Sequence, residues 1–243
     1  SMRADSAGAA ENTTKLWKTY LALPTEPKPR AKVARLRDRK KWAATSVLKG
    51  VRLSLTSDRS FDSVFEARRS RRAFGPIEIR KTRAFVQHVF SPRKSGKGRL
   101  AHLTKKTFVS AGSLHPISVI IIDGPDVDEP ILFDDRTKRF LTLPLIDPLG
   151  FEEAVLEARQ IVPTAEGHIL LFVGDERRVS DEYEAPQSLL WRDAGAALQV
   201  CSMAAEAYGL AFCPLGFTGA AALESLGPPH GDFRALSLAI LGC

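Results

Sequence analysis

The sequence predicts an α+β domain, because amphipathic helices are mixed with strands that do not alternate regularly with them. Three apolar runs have the length and composition of buried strands, at residues 117–123, 168–173 and 236–241. Residues 186–210 keep apolar side chains on one face of a long helix. Residues 131–134 and 139–145 are typical of a hairpin, which a strictly parallel sheet does not contain.

The charge of the 243-residue chain is divided unevenly. Residues 1–106 hold 27 of the 35 lysines and arginines but 8 of the 28 acidic residues. A nucleic-acid-binding arm, a site for an acidic partner or a phosphate, and a solvated basic face are three explanations of this asymmetry. No helix-turn-helix spacing or aromatic RNA-binding signature accompanies the charge, which disfavours nucleic acid as a partner.

Hydropathy and cysteine content predict a cytoplasmic protein. No apolar run approaches the roughly 20 residues of a membrane span, so we expect no membrane partner. The cysteines, Cys201, Cys213 and Cys243, are an odd number without close spacing, which argues against a disulfide framework or a zinc site. Such usage is typical of a reducing compartment.

The N-terminal part of the chain is polar and basic. Residues 14–23 have the apolar spacing of a helix, which the prolines of residues 24–29 end. Residues 30–49 are strongly basic with few apolar positions, as in a surface helix or an arm wrapped on a partner subunit.

Two helices precede the first long strand. One opens at Ser60 or Asp62 as the N-cap and ends in the arginine cluster at residues 68–72. The second spans residues 79–90, with its apolar side chains on one face. The basic loop at residues 91–99 contains Gly-Lys but lacks the glycine spacing and the Ser or Thr of a nucleotide P-loop.

Two helices also follow the hairpin. Residues 151–161 suit the first of them, and the second is the long helix, which Gly209 ends. The apolar face of the long helix is rich in alanine, which permits close approach of a neighbouring helix. This helix is therefore expected at the centre of the domain or at a subunit interface.

The arginine cluster is a candidate phosphate site. Arg68, Arg69, Arg71 and Arg72 surround Ser70, and guanidinium groups bind phosphate oxygens in pairs and stay charged at any working pH. The alternative is a solvated helix end, where cations interact favourably with the C-terminal dipole.

Two segments of small residues are candidates for contact with a flat ligand. Residues 110–116, Ser-Ala-Gly-Ser-Leu-His-Pro, lead directly into the strand at residue 117, and the absence of bulky side chains allows close backbone approach. Pro214-Leu215-Gly216 follows the long helix. Taken alone, this second segment is typical of an ordinary turn between strands.

The order of these motifs resembles the nitroreductase superfamily. More narrowly, residues 110–116 look like the SAGALHP motif of SagB-type dehydrogenases, flavin enzymes that oxidise azolines in ribosomal peptide natural products. The hairpin from Leu132 and the helix segment Leu189–Gly195 are similar to two further segments of that family. The resemblance covers about residues 60–242. It implies a nitroreductase-like FMN-binding domain at residues 60–243, with a central mixed or antiparallel sheet flanked by helices, after a basic N-terminal extension at residues 1–59.

The resemblance also implies a cofactor site for FMN. Arg68, Arg69, Ser70 and Arg72 would bind FMN, the first arginine at the phosphate and the last near the pyrimidine end of the ring. The ring would be lined, often from a second subunit, by Ser110, Ala111, Gly112, Ser113 and Leu114. Pro214, Leu215 and Gly216 would form the turn over the isoalloxazine, with a backbone N–H directed toward N5.

The candidate catalytic residues are Tyr183 and His115. Azoline-oxidising members of the family carry a Lys-Tyr pair shortly before the long helix, where this chain has Glu182-Tyr183. Tyr183 could act as an acid or a base without the lysine. His115 is expected either to face the substrate or to close the turn by hydrogen bonding. The chain also departs from the family pattern at Val109, where a proline is usual, and at Ala196, where a histidine is usual.

These features predict a homodimeric FMN-dependent oxidoreductase of the SagB or nitroreductase type. Its reaction would be two-electron hydride transfer at flavin N5, on a peptide, a secondary-metabolite intermediate or another small molecule. One alternative is an NAD(P)H-dependent nitro or quinone reductase. Another is a flavin-dead scaffold subunit that binds a peptide or an acidic protein through its basic N-terminal region.

Overall fold

The computed structural model describes residues 27–30, 42–97, 103–162, 166–228 and 232–243. Its strands are β1 (Lys28–Pro29), β2 (Ser46–Leu48), β3 (Lys94–Ser95), β4 (Thr104–Lys105), β5 (Ile117–Asp123), β6 (Ile131–Asp134), β7 (Arg139–Thr142), β8 (His168–Asp175), β9 (Tyr183–Glu184), β10 (Ala211–Pro214) and β11 (Phe233–Gly242). Its α-helices are α1 (Phe61–Ala67), α2 (Ile79–Phe90), α3 (Pro148–Ile161), α4 (Glu176–Ser180), α5 (Gln187–Ala207) and α6 (Ala220–Ser225).

A seven-stranded sheet organises these elements. Its strand order is β10-β11-β8-β5-β6-β7-β2, and every neighbouring pair is antiparallel. The predicted α+β class is therefore confirmed, and of the two sheet types expected, mixed or antiparallel, the sheet is antiparallel.

Helices cover both faces of the sheet. Side chains of the central strand β5 alternate between the two faces, so both faces are apolar and need a helical layer. Ile117, Val119 and Ile121 face a core shared with α2 and α5. Ile120 and Ile122 face a second core shared with α3 and α6. All five side chains are almost fully buried, and burial of each contributes about 2 kcal/mol. The strand thus holds the two helical layers together.

Local sequence signals define the boundaries of several elements. Helix α2 and strand β5 coincide with the predicted ranges. Helix α3 begins at Pro148 rather than at the predicted residue 151, because Asp147 caps it by accepting a hydrogen bond from the Gly150 amide at 3.1 Å. Strand β7 ends at Thr142, short of the predicted residue 145.

The long helix α5 is slightly shorter than predicted. It spans Gln187–Ala207, within the predicted residues 186–210. Gly209 follows it with a φ of +66°, the left-handed conformation that commonly ends a helix.

Parts of the N-terminal extension lie on the domain. Strand β2 pairs with β7 at one edge of the large sheet, and β1 pairs with β9. The predicted helix at residues 14–23 lies outside the described residues, as do parts of the predicted linker and basic segment. The division of the chain at residue 59 stays a prediction. None of the helices in the described ranges is both long enough and apolar enough to cross a membrane.

Candidate functional site

The arginine segment, residues 68–72, follows directly on α1. Ser60 caps this helix, because its hydroxyl oxygen accepts a hydrogen bond from the Ser63 amide at 3.2 Å. Arg69, Ser70 and Arg72 are exposed. Arg68 is half-buried, and its Nη1 lies 3.5 Å from Ser202 Oγ on α5. The segment therefore concentrates positive charge at the surface, beside the long helix.

Arg71 differs from the other arginines because it is held by a buried carboxylate. Its guanidinium pairs with Glu206 of α5 at 2.8 Å, and Arg59 pairs with the same carboxylate at 2.7 Å. Burial acts to raise the pKa of Glu206, but the hydrogen bonds and charges of the two arginines outweigh it and lower that pKa. Glu206 is thus ionised and holds the arginine segment on α5.

The small-residue loop is anchored by Asp193 of α5. Ser110 Oγ donates to one oxygen of this buried carboxylate, and the Ala111 amide donates to the other at 3.3 Å. The His115 amide donates to Ser110 Oγ at 2.8 Å, which closes the loop. Burial raises the pKa of Asp193, against the effect of the two hydrogen bonds that it accepts.

Tyr183 lies against this loop. Residues 111–113 form a single turn of 3₁₀ helix, in which Gly112 has a φ of +58°. A Cβ at Gly112 would lie 3.1 Å from Tyr183 Oη. Conformation and contact therefore both favour glycine here. The fold brings Tyr183, the candidate acid or base, together with the loop predicted to line the flavin ring. In this loop Ala111 is half-buried, Gly112 and Ser113 are exposed, and Leu114 is buried.

His115 lies beneath the loop, with 4% of its surface exposed. Its ring packs edge-on against Phe108, with the ring centroids 5.3 Å apart. Lys106 lies nearby, its side chain 1% exposed and paired with Asp135 at 2.6 Å. Burial, followed by the charges of Lys106 and Arg178, lowers the pKa of His115 to about 4. Nδ1 of the ring has no hydrogen-bond partner among the described residues, and the substrate-facing and turn-closing roles of His115 both stay predictions.

The turn at residues 214–216 lies at the end of β10. Leu215 donates its amide hydrogen to Leu238 O at 2.8 Å and Pro214 has no N–H, so Gly216 is the remaining candidate for the N–H predicted to face flavin N5. Gly216 is exposed, and a Cβ built on it would meet nothing within 4 Å. The Arg71 amide donates to Phe212 O in the same strand at 3.2 Å, which places the arginine segment beside this turn.

Helix α5 connects two groups of predicted site residues. The loop and Tyr183 lie at Asp193, whereas the arginine segment and the turn lie near Ser202. At 1.5 Å per residue, these two helix positions are about 14 Å apart along the axis. A single chain therefore assembles the predicted residues in two halves at different levels of one helix.

Three buried charged residues at or near these halves were not among the predicted site residues. Asp193, Glu206 and Lys106 are charged yet nearly fully buried. A signal was present for Asp193, since it falls beside Leu190 and Ala194 on the otherwise apolar face of the predicted helix. No comparable local signal marked Lys106, which lies outside a periodic segment.

Comparison with solved structures identifies the arrangement of sheet and helices as the nitroreductase fold. A crystal structure from Ralstonia eutropha JMP134, of a protein provisionally described as a nitroreductase, has a TM-score of 0.60 and 14% identity, covering 89% of this chain and 97% of that chain. A similarly described protein from Anabaena variabilis ATCC 29413 has a TM-score of 0.60 and 15% identity, covering 81% of this chain and 41% of that chain.

A third similar structure is the E. coli microcin synthetase McbBCD complex with truncated pro-MccB17 bound. Its TM-score is 0.54 at 12% identity, and the match covers 79% of this chain and 75% of that chain. No protein-family model matches the sequence, and no curated protein is similar to it in sequence. The predicted nitroreductase-like fold is confirmed.

Proposed function

We propose that this protein is an FMN-dependent oxidoreductase of the SagB-like nitroreductase type. The observation that carries the proposal is the pairing of a surface arginine segment with a turn and loop of small residues on the nitroreductase fold. Arg68 and Arg69 supply cations for a phosphate group, and Arg72 supplies one for the ring. The exposed backbone at Gly112 and Gly216 leaves room for a flat ring.

These residues fit FMN in donor chemistry. The first arginines would hold the phosphate, and Arg72 would lie toward the pyrimidine end of the ring. A cation there stabilises negative charge on the reduced ring. When bound, FMN supplies two-electron redox chemistry at its N5 atom. Protein residues then have to bind the ring, exclude water and handle protons.

We further propose that a homodimer unites the two halves of the site. Large apolar side chains are exposed on the elements of each half: Phe61 and Phe65 stack on α1 at 5.9 Å between ring centroids, Val109 precedes the loop, and Trp191 lies on α5. Exposed apolar clusters of this kind mark interaction surfaces. In a dimer, the loop of one subunit would complete the arginine half of the other.

Tyr183 is our candidate for proton transfer to or from the substrate. Its hydroxyl lies beside the loop at Gly112, where a bound substrate could reach it. A peptide or another secondary-metabolite intermediate is the preferred substrate class, and the microcin synthetase neighbour has truncated pro-MccB17 bound. A cytoplasmic location is part of the proposal, and the three cysteines are free thiols.

The second candidate function is an NAD(P)H-dependent nitro or quinone reductase. It is favoured by Glu182, which stands beside Tyr183 where azoline-oxidising enzymes have lysine. Turnover of menadione with NADPH would support this candidate. Oxidation of a peptide azoline without such turnover would support the SagB-like reaction.

The absorption spectrum of the purified full chain, before and after addition of FMN, tests the proposal. We expect flavin bands that persist through desalting, and release of FMN on denaturation. A colourless protein that does not take up added FMN would refute the oxidoreductase function and favour a scaffold subunit.

A further inference from the structure

Two arginines converge on one buried carboxylate behind the arginine segment. The Glu206 side chain is 5% exposed. Arg59 Nη1 donates to Glu206 Oε1 at 2.7 Å and to the Glu206 backbone oxygen at 2.8 Å. Arg71 Nη2 donates to both carboxylate oxygens, at 3.0 and 2.8 Å. The residues before α1, the residues after α1 and helix α5 therefore meet at a single group.

Because Arg71 is held in place, the exposed residues next to it in the chain are restrained as well. Its side chain is fixed on α5 by Glu206, and its backbone amide is fixed on β10 by Phe212 O. Arg69 and Arg72 lie on either side of this anchored region and are exposed. A segment held at two points presents its neighbours in a defined geometry before an anion arrives, which reduces the ordering cost of binding.

We propose that Glu206, acting through Arg59 and Arg71, is a positioning residue for phosphate recognition by the arginine segment. The inference rests on the FMN-binding function proposed above. Glu206 does not touch the ligand in this scheme. Its carboxylate keeps Arg71 engaged, so that the phosphate meets Arg68 and Arg69 in a fixed array, while Arg72 is left for the pyrimidine end of the ring.

The test compares two flavins that differ in the phosphate alone. FMN and riboflavin share the ring, so the ratio of their dissociation constants for the full chain reports on the phosphate site. Wild type should prefer FMN. Glu206→Gln keeps the side-chain volume but removes the charge, and should reduce that preference about tenfold while riboflavin affinity stays within about twofold. Glu224→Gln, at an exposed position on α6, is the matched control and should keep the wild-type ratio.

The outcomes separate this inference from the function on which it rests. Parallel weakening of both flavins, or an unchanged ratio, in Glu206→Gln would overturn the positioning role and leave FMN binding intact. A wild-type chain that binds neither flavin would overturn both proposals. If Glu206→Gln does not fold, Arg59→Gln decides the question, since it leaves Arg71 on the carboxylate. A reduction of the FMN preference of about threefold in that variant supports the inference, and an unchanged preference refutes it.

Discussion

Acid should destabilise this protein through His115. Burial lowers the pKa of this side chain to about 4, and the charges of Lys106 and Arg178 act in the same direction. Asp135 and a hydrogen bond with the Thr104 backbone act in the opposite direction but are outweighed. The ring is consequently neutral in the folded protein at pH values where it is charged in the unfolded chain.

The sign and size of the effect follow from proton linkage. Between pH 6.5 and about pH 4, the unfolded chain binds more protons at this histidine than the folded protein does, so the free energy of unfolding falls as the pH falls. At 1.36 kcal/mol per pKa unit, the difference between 6.5 and about 4 corresponds to about 3 kcal/mol. About 2 kcal/mol of this is lost between pH 7 and pH 5.

Urea unfolding at a series of pH values measures this loss. His115→Asn is the matched variant, because asparagine tolerates the positive φ of 48° at this position but does not titrate. Burial lowers the pKa of His88 and His168 too, so the wild-type chain should lose stability from several histidines. The variant should lose about 2 kcal/mol less than wild type between pH 7 and pH 5. Equal losses in the two proteins, with a constant offset that reflects lost packing alone, would refute the reasoning.

Three further predictions concern the site. Gly112→Ala should destabilise the protein by about 1 kcal/mol or more, because the φ of Gly112 is positive and the added Cβ would crowd Tyr183. Gly195→Ala, at an open helical position, should stabilise the protein by up to about 1 kcal/mol. Thermal unfolding measures both changes, and they must have opposite signs. Asp193→Ala should lower the free energy of unfolding by about 1–3 kcal/mol in urea, because two donors of the loop lose their acceptor. Asp193→Asn should lower it less, since an amide oxygen can still accept. Equal losses in the two variants would contradict the anchoring role. Arg69→Gln should weaken FMN binding and reduce its dependence on salt concentration, measured by fluorescence titration; an unchanged salt dependence would place the phosphate elsewhere.

Local patterns predicted the elements that carry their own signals. Residues 79–90 and 117–123 have clear helical and strand patterns, and their boundaries are confirmed. Strand β2 was not predicted, because three residues carry little periodicity and their pairing with β7 depends on a contact distant in sequence. The same reason explains β9 and β10, which are short and defined by their partners.

The candidate site was predictable in its parts but not in its assembly. The arginine segment and the small-residue loop stand out in composition, and the structure places both beside α5. The contact between Tyr183 and Gly112 could not be derived, since it requires the path of the chain after β8. Buried charges such as Glu206 were also missed, because helical periodicity does not reveal that arginines from other elements neutralise an acidic side chain.

Strand β2 has a consequence for how the protein behaves in solution. It pairs with β7 at the end of the large sheet, so backbone donors and acceptors that would otherwise face water are satisfied. At the opposite end of the sheet, the Arg71 amide donates a hydrogen bond to Phe212 O of β10. Gly75 exchanges backbone hydrogen bonds with Cys243, which follows β11. An uncovered sheet edge is a template for pairing with other chains. Strand β2 is itself the edge strand and is three residues long. Cutting the chain at residue 60 would expose the edge of β7 instead, and we expect this to promote aggregation. Residue 59 thus marks the limit of a sequence resemblance rather than the limit of the sheet.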